Sequence, residues 1–236
     1  MMSLKFTLEK LRQQPGRMTK RIREQGLWTF LRWSVYQLQF RRRERRLGIN
    51  TLEHAYGINV WGKDGGQYYD PIDYQCLDII LQYLNPDPGQ DVFLDYGCGL
   101  GRPIIAAAHL PFKRVIGIEN NELCLELCRK HVASAERKGK FLCPVEVIDA
   151  DAGTYDLPDD VTKILMYNPF VEQSLMDRVL ARIELSLRRR PREIDLVYAP
   201  LHKYSDFLDR CEFLTCVTNL PTGFWDHVVV KAFKAV

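Results

Sequence analysis

Three glycines at alternate positions follow a short apolar run, and the segment reads Val92-Phe-Leu-Asp95-Tyr-Gly97-Cys-Gly99-Leu-Gly101-Arg102. The apolar run predicts a buried strand, and the residues from Arg102 to Leu110 predict a helix with Pro103 in its first turn. Glycine adopts positive φ without steric cost and has no side chain, so a ligand can approach the backbone of such a turn closely. The segment therefore predicts a ligand-binding loop between a strand and the N-terminus of a helix.

The spacing of these glycines bears on which ligand the loop binds. A dinucleotide-binding turn follows the pattern Gly-x-Gly-x-x-Gly, which would place its third glycine at position 102. This chain has Arg102 there, and its third glycine is Gly101. The pattern therefore disfavours a bound pyrophosphate, although a nicotinamide-dependent oxidoreductase stays open as an alternative.

Acidic side chains lie at the ends of the next two predicted strands. Glu119 ends the run Arg114–Glu119, where its carboxylate can accept hydrogen bonds from both hydroxyls of a ribose. Asp149 ends the run Val145–Asp149, and Asp151 follows closely. The carboxyl ends of parallel strands meet at one edge of a sheet, so these carboxylates are expected near the glycine loop.

The run Asp95-x-Gly97-x-Gly99-x-Gly101 resembles the first motif of the class I S-adenosylmethionine-dependent methyltransferases, and the resemblance covers residues 70–236. It implies that the cofactor is S-adenosyl-L-methionine, with its methionine portion in the turn and its ammonium group near Asp95. It also implies that the ribose lies at Glu119 and the adenine amino group at Asp151, with Asp149 as the alternative. The residues expected to bind the cofactor are Tyr69, Asp95, Gly97, Cys98, Gly99, Gly101, Glu119, Asn120, Asp151, Ala152 and Asn168.

The acceptor side of the site is expected after the fourth strand, at Tyr167-Asn168-Pro169-Phe170. This run is similar to the Asn/Asp-Pro-Pro-aromatic motif of methyltransferases that act on amino groups, with one proline missing. The resemblance implies that Asn168, Pro169 and Phe170 contact the acceptor, while a helix cap is the alternative role for Asn168. His202 is a candidate general base, or else a solvated loop histidine.

The expected reaction moves a methyl group to an unidentified acceptor, and an amine nitrogen of a protein or small molecule is favoured over oxygen. A sulfonium methyl is already electrophilic, so the protein needs to align a nucleophile and remove its proton. A non-catalytic, methyltransferase-like adaptor is a further alternative.

From residue 91 onward, strand-like and helix-like runs alternate, which is typical of a mostly parallel sheet with helices on both faces. The predicted fold is α/β, with a doubly wound, mostly parallel seven-stranded sheet, a C-terminal antiparallel hairpin and an N-terminal helical basic arm. The expected strands are Val92–Asp95, Arg114–Glu119, Val145–Asp149, Lys163–Tyr167, Ile194–Tyr198, Phe213–Leu220 and His227–Phe233. The expected helices are Tyr74–Leu84, Arg102–Leu110, Asn121–Lys138, Val171–Arg190 and a short one at His202–Arg210.

Side-chain patterns accompany these helices. In the run Asn121–Lys138, helical spacing predicts that one face carries Leu123, Leu127, His131 and Ser134 or Ala135. Cys124 and Cys128 also share a face of this helix and are expected to be buried as small apolar groups. The arginines at 188–190 are expected to remain solvated in the last turn of their helix, where cations favour the helix dipole.

Charge is distributed unevenly along the 236 residues. Residues 1–50 carry 13 Lys or Arg and three acids, so an arm of net charge +10 precedes a remainder of −7. Apolar and aromatic residues recur at helical spacing over 27–38, and arginines follow at 41–46. Residues 17–46 could therefore contact a membrane surface or nucleic acid, or dock on the rest of the chain. The expected domains are the arm at 1–50, a lid-like loop and leading helix at 51–84, and the S-adenosylmethionine-binding domain at 85–236.

Cysteine usage and hydropathy indicate the compartment. The seven cysteines are an odd number with no Cys-x-x-Cys pair, which predicts reduced thiols and no structural zinc or other metal. The apolar run 27–40 contains Arg32 and is too short to span a bilayer, and no signal-peptide cleavage site follows it. A cytoplasmic location is expected, with attachment to a membrane surface through the arm left open.

Overall fold

The computed structural model describes residues 27–51, 69, 71–167, 170, 172–199, 211–220 and 228–233. The chain divides into two compact units, Met1–Arg46 and Leu47–Val236. The described helices are α1 (Leu27–Leu47), α2 (Tyr74–Leu84), α3 (Arg102–Ala107), α4 (Glu122–Lys138) and α5 (Gln173–Arg189). The described strands are β1 (Val92–Tyr96), β2 (Arg114–Glu119), β3 (Val145–Asp149), β4 (Val161–Tyr167), β5 (Ile194–Ala199), β6 (Leu214–Leu220) and β7 (Val228–Phe233).

These strands form one sheet in the order β3-β2-β1-β4-β5-β7-β6. The first five are parallel to their neighbours, while β7 runs antiparallel to both β5 and β6. The predicted α/β fold with a parallel sheet is confirmed by these five strands. The connection at 221–227 and the predicted helix His202–Arg210 lie outside the described residues.

The central strands have nearly continuous apolar sequences because both of their faces lie in the buried core. All five residues of β1 are buried, because helices cover both faces of a parallel sheet. The apolar stripe of α5 packs against β1, β4 and β5 in one buried cluster. Burial of this extent fixes the carboxyl end of β1, from which the glycine turn departs.

Helix α4 buries one face along its length. Its buried side chains include Cys124, Cys128, His131 and Ala135, whereas Leu123 is 43% exposed. The Asn121 side chain accepts hydrogen bonds from two backbone N–H groups of the first turn, so the helix begins at Glu122. The prediction that the two cysteines are buried on a shared face is confirmed, while Leu123 lies outside the buried stripe.

Two helix ends also differ from the prediction. Helix α3 ends at Ala107, three residues before the expected Leu110, because the chain enters a turn ahead of Pro111. At the end of α5, Arg189 is not simply solvated, since its guanidinium lies 3.0 Å from Asp156 and 2.9 Å from Asp159.

Helix α1 lies mainly in the first unit, and both apolar and basic side chains are exposed on it. Val35 and Leu38 are 53% and 62% exposed, and the exposed arginines include Arg42 and Arg46. Among the described residues, no helix is both long and apolar enough to cross a membrane.

Candidate active site

The glycine turn after β1 has the backbone conformation that its sequence predicts. Gly97, Gly99 and Gly101 have φ values of 75°, 53° and 87°, all in the left-handed region. The N–H groups of Gly97 and Cys98 both donate to the carbonyl of Ile118, each at 2.9 Å. The turn is therefore anchored to β2, the neighbouring strand.

There is no room for side chains at two of these glycines. A Cβ added at Gly99 would lie 2.5 Å from Cε2 of Tyr69, and one at Gly101 would lie 2.8 Å from Sγ of Cys128. The Tyr69 ring thus lies directly against the turn, and its role in binding the cofactor stays a prediction. The turn is a bare backbone cradle of the kind that a close-fitting ligand requires.

Cys98 lies within the turn but points away from solvent. It is 3% exposed, and its Sγ lies 4.0 Å from Sγ of Cys128. Its hydrogen bond with Cys128 and its burial raise the pKa of the Cys98 thiol, so the side chain is a neutral packing group.

Asp95 is the most unusual ionisable group at this edge of the sheet. Its side chain is 2% exposed, and its Oδ2 has no hydrogen-bond partner among the residues that the structure describes. Burial, together with the smaller effect of the nearby Glu119, raises the pKa of Asp95 to about 8. A buried carboxylate oxygen without a partner fits a ligand that brings its own hydrogen-bond donor, such as an ammonium group.

Glu119 joins the turn to the loop after β2. Its Oε2 accepts a hydrogen bond from the Gly99 N–H, and its Oε1 accepts from Asn120 and Asn121, each at 3.0 Å. Burial raises the pKa of Glu119, and the hydrogen bonds from Asn121, Gly99 and Asn120 oppose this shift. The carboxylate therefore has a structural role in shaping the turn that its position in the sequence did not reveal.

The two acids after β3 have different surroundings. Asp149 is exposed and pairs in register with Glu119 across the β2–β3 ladder. Asp151 accepts hydrogen bonds at its Oδ1 from Gly153 and Thr154, at 2.8 and 3.1 Å, which orders the turn containing the buried Ala152. Both carboxylates lie at the carboxyl end of β3, the strand next to β2. Their roles in binding adenine remain predictions.

The predicted acceptor residues are only partly described. Phe170 is half-buried and packs against the core cluster that α5 completes. Asn168, Pro169 and His202 lie outside the described residues. Their placement beside the acceptor therefore stays a prediction.

Two buried residues support the turn and were not predicted as site residues. Arg102 is 2% exposed, donates from Nε to Oγ1 of Thr51 at 2.9 Å, and also donates to the carbonyl of Ile72. His131 lies with its Nδ1 2.9 Å from the carbonyl oxygen of Leu100. Nothing in the local sequence indicates these partners, which lie 51, 30 and 31 residues away.

Within the ranges that the structure describes, no group of three or more His, Cys, Asp or Glu side chains could hold a metal ion.

The region that carries this geometry matches a known family. Residues 93–190, from β1 to the end of α5, match the family described as a methyltransferase domain. This part of the chain is a methyltransferase domain. The resemblance to the class I S-adenosylmethionine-dependent methyltransferases is thereby confirmed at the level of the family. The match favours a methyltransferase over the nicotinamide-dependent alternative.

Individual proteins similar to the chain include a curated relative from Cupriavidus taiwanensis, the ribosomal protein L11 methyltransferase. The two are 32% identical over 145 residues, which is 58% of this chain and 46% of the relative. The chain thus spans about half the length of that relative.

Two solved structures are also similar to the chain. A TehB-like methyltransferase from Corynebacterium glutamicum has a TM-score of 0.49 and 15% identity, over 86% of this chain and 100% of that one. An RNA methyltransferase from Salinibacter ruber, bound to S-adenosyl-L-homocysteine, has a TM-score of 0.46 and 19% identity, over 70% and 94%.

Proposed function

We propose that this protein transfers a methyl group from S-adenosyl-L-methionine to an acceptor. The observation that carries the proposal is the buried Asp95, whose Oδ2 has no partner within the described part of the chain, beside a turn with no room for side chains at Gly99 and Gly101. The family match over residues 93–190 supports the same reading.

Different residues at this edge of the sheet bind different parts of the cofactor in this proposal. The bare backbone of the turn admits the methionine portion, and Asp95 accepts a hydrogen bond from its ammonium group. Glu119 already accepts three backbone N–H groups and retains limited capacity for a ribose hydroxyl. Asp151, next to the buried Ala152, receives the adenine amino group, and Tyr69 covers the turn. When bound, the cofactor supplies a methyl group that its sulfonium has activated.

An amine nitrogen of a protein or small molecule is the proposed acceptor. Asn168 and Pro169 would accept its hydrogen bonds, Phe170 would pack on it, and His202 would take its proton. Two facts support this choice: the Asn-Pro-Phe run follows β4, and the curated relative's name specifies a ribosomal protein as its acceptor.

Two further features complete the proposal. We infer that β6 and β7 are the C-terminal hairpin of a seven-stranded class I sheet, because both pair antiparallel at the end of the sheet. We infer that residues 17–46 contact an anionic partner, either nucleic acid or a membrane surface. We also infer that residues 85–236 are the cofactor domain and that the lid-like loop and leading helix at 51–84 precede it. The exposed arginines and apolar residues of α1 support the arm's role.

Transfer of tritium from S-adenosyl-[methyl-³H]methionine tests the activity. The acceptors would be separate pools of total protein, total RNA and a small-molecule extract. We expect label in one pool, with the protein and small-molecule pools favoured, and loss of labelling in the Gly99→Arg variant.

The matched control is Gly89→Arg. Gly89 also has a positive φ, of 70°, but a Cβ there meets nothing within 4 Å. This variant carries the same backbone strain and added charge away from the turn, so it should keep labelling. Absence of label from all pools, or equal label with Gly99→Arg, would contradict the proposed activity. Cofactor binding without any labelling would favour the non-catalytic adaptor.

A further inference from the structure

A buried histidine links the glycine turn to the chain segment ahead of the sheet. His131 lies on α4 and is 6% exposed. Its Nδ1 lies 2.9 Å from the carbonyl oxygen of Leu100, and its Nε2 lies 3.4 Å from the backbone nitrogen of Asn50. Leu100 lies between Gly99 and Gly101, so His131 contacts the middle of the turn.

These two contacts specify one form of the imidazole ring. A carbonyl oxygen can only accept a hydrogen bond, so Nδ1 must carry a proton. A backbone N–H can only donate, so Nε2 must be unprotonated. His131 is therefore a neutral imidazole with its proton on Nδ1, and the backbone of Asn50 selects this tautomer.

Hydrogen bonds to Gly48 and to Thr51 hold the segment that supplies the Asn50 N–H. Ser134, also on α4, donates from its Oγ to the carbonyl of Gly48 at 2.7 Å. Thr51 accepts a hydrogen bond from the buried Arg102, which begins the helix after the turn. The partner of Nε2 is thus fixed by contacts that do not involve the imidazole.

The bond to Leu100 controls more than one carbonyl. The Leu100 carbonyl and the Gly101 N–H belong to the same planar peptide unit, and this N–H donates to the carbonyl of Cys98 at 2.9 Å. Because Gly101 follows this peptide and has no Cβ to restrict its φ, the peptide could rotate at low steric cost on that side. The Nδ1 proton of His131 opposes such rotation.

We propose that His131 is a positioning residue for the cofactor turn and that it acts by fixing the Leu100–Gly101 peptide. The proposal rests on the proposed function, because it takes this turn as the binding site of S-adenosylmethionine. It assigns a role in cofactor affinity to a side chain on the far side of the turn.

Two substitutions of His131 separate this role from simple packing. An Asn side chain places an amide nitrogen near the position of Nδ1, whereas a Gln side chain places its amide near Nε2. Both remove the ring, but only His131→Asn keeps a donor for Leu100. The dissociation constant for S-adenosylhomocysteine would be measured calorimetrically, with unfolding midpoints in urea measured alongside.

We expect His131→Asn to bind within about threefold of wild type and His131→Gln to bind roughly tenfold more weakly, which corresponds to one lost buried hydrogen bond. The unfolding midpoints of the two variants should be lowered to a similar degree. Lys130→Ala removes an exposed ion pair with Glu126 from the same helix, and its affinity should change less than about twofold. Equal weakening by both His131 variants, or no weakening by His131→Gln, would overturn the proposal.

A second measurement works without ligand. The ¹⁵N chemical shifts of the imidazole in the free protein distinguish a proton on Nδ1 from one on Nε2. A proton on Nδ1 is expected, and a proton on Nε2 would overturn the proposal even if a variant failed to fold. If wild type fails to bind S-adenosylhomocysteine while Nδ1 carries the proton, the proposed function fails and the role of His131 is confined to shaping the turn.

Discussion

At the scale of single residues, the sequence predicted candidate site residues at the ends of strands. It did not predict the buried residues that support the glycine turn. Asp95, Glu119 and the three glycines could be predicted because strand ends in a parallel sheet converge at one edge. Arg102 and His131 could not, because their partners lie 51 and 31 residues away and only the tertiary fold brings them together.

The buried Asp95 should make stability depend on pH. Its pKa is raised from 3.8 to about 8 in the folded protein, so the folded state holds a proton that the unfolded state has lost. Stability should therefore decrease as pH rises between these values, by about 1.4 kcal/mol per pH unit. Asp95→Asn cannot ionise, so relative to wild type it should gain stability from pH 5 to 7 in urea titrations.

The exposed Asp149→Asn variant controls for loss of a charge at the same edge. A constant difference in unfolding free energy between wild type and Asp95→Asn across this range would contradict the assignment of a neutral Asp95.

The same carboxyl group should release a proton when the cofactor binds. An ammonium group beside Asp95 favours the ionised form, and at pH 7 the free protein holds the proton because its pKa is about 8. Titration calorimetry in phosphate and in Tris should give binding enthalpies that differ by up to one proton's ionisation. Asp95→Asn should abolish the difference, and equal enthalpies for wild type would count against an ammonium at this site.

At the scale of elements, the periodicity of the sequence gave the order of strands and helices but not every boundary or face. Helix α4 buries Cys124 and Cys128 as predicted, but Leu123 is exposed although it was expected to share a face with the buried His131. Helix α3 is only six residues long, yet all six are buried. Its start is fixed by Arg102, whose contacts reach two segments ahead of the sheet.

Arg102 should be difficult to replace. Its guanidinium donates to Thr51 and Ile72 at once and lies 4.9 Å from the ring centroid of Tyr74. A lysine ammonium cannot reach both partners in this planar geometry. Arg102→Lys should lower the free energy of unfolding by about 2–3 kcal/mol, measured in urea.

The matched control for this substitution is Arg188→Lys on α5. The Arg188 side chain is 73% exposed and pairs with Glu184 one turn away. Its replacement should change the free energy of unfolding by less than about 0.5 kcal/mol. Similar losses in the two variants would show that Arg102 contributes no more than a surface charge.

At the scale of the whole molecule, the chain divides into the compact units Met1–Arg46 and Leu47–Val236. The basic arm at 1–50, inferred from the uneven charge, stays a prediction. Composition could not show what the arm contacts, because an amphipathic basic helix suits several anionic partners equally. The acceptor likewise depends on residues around 168 and 202 and on side chains that the cofactor loop does not determine.

Cofactor binding should stabilise the whole second unit. A ligand at about 100 times its dissociation constant stabilises the folded state by about 2.7 kcal/mol. For a chain of this size, S-adenosylhomocysteine should then raise the unfolding temperature by roughly 5–10 °C in a thermal scan. The Gly89→Arg variant should show the same increase, and Gly99→Arg should show none.

The most direct test of the account is calorimetric titration of the wild-type protein with S-adenosylmethionine and S-adenosylhomocysteine, with NAD as the control ligand. Micromolar, one-to-one binding of both the methyl donor and its demethylated product is expected, with loss of that binding in Gly99→Arg and no binding of NAD. Failure of wild type to bind either ligand, or a preference for NAD, would contradict the proposed cofactor site.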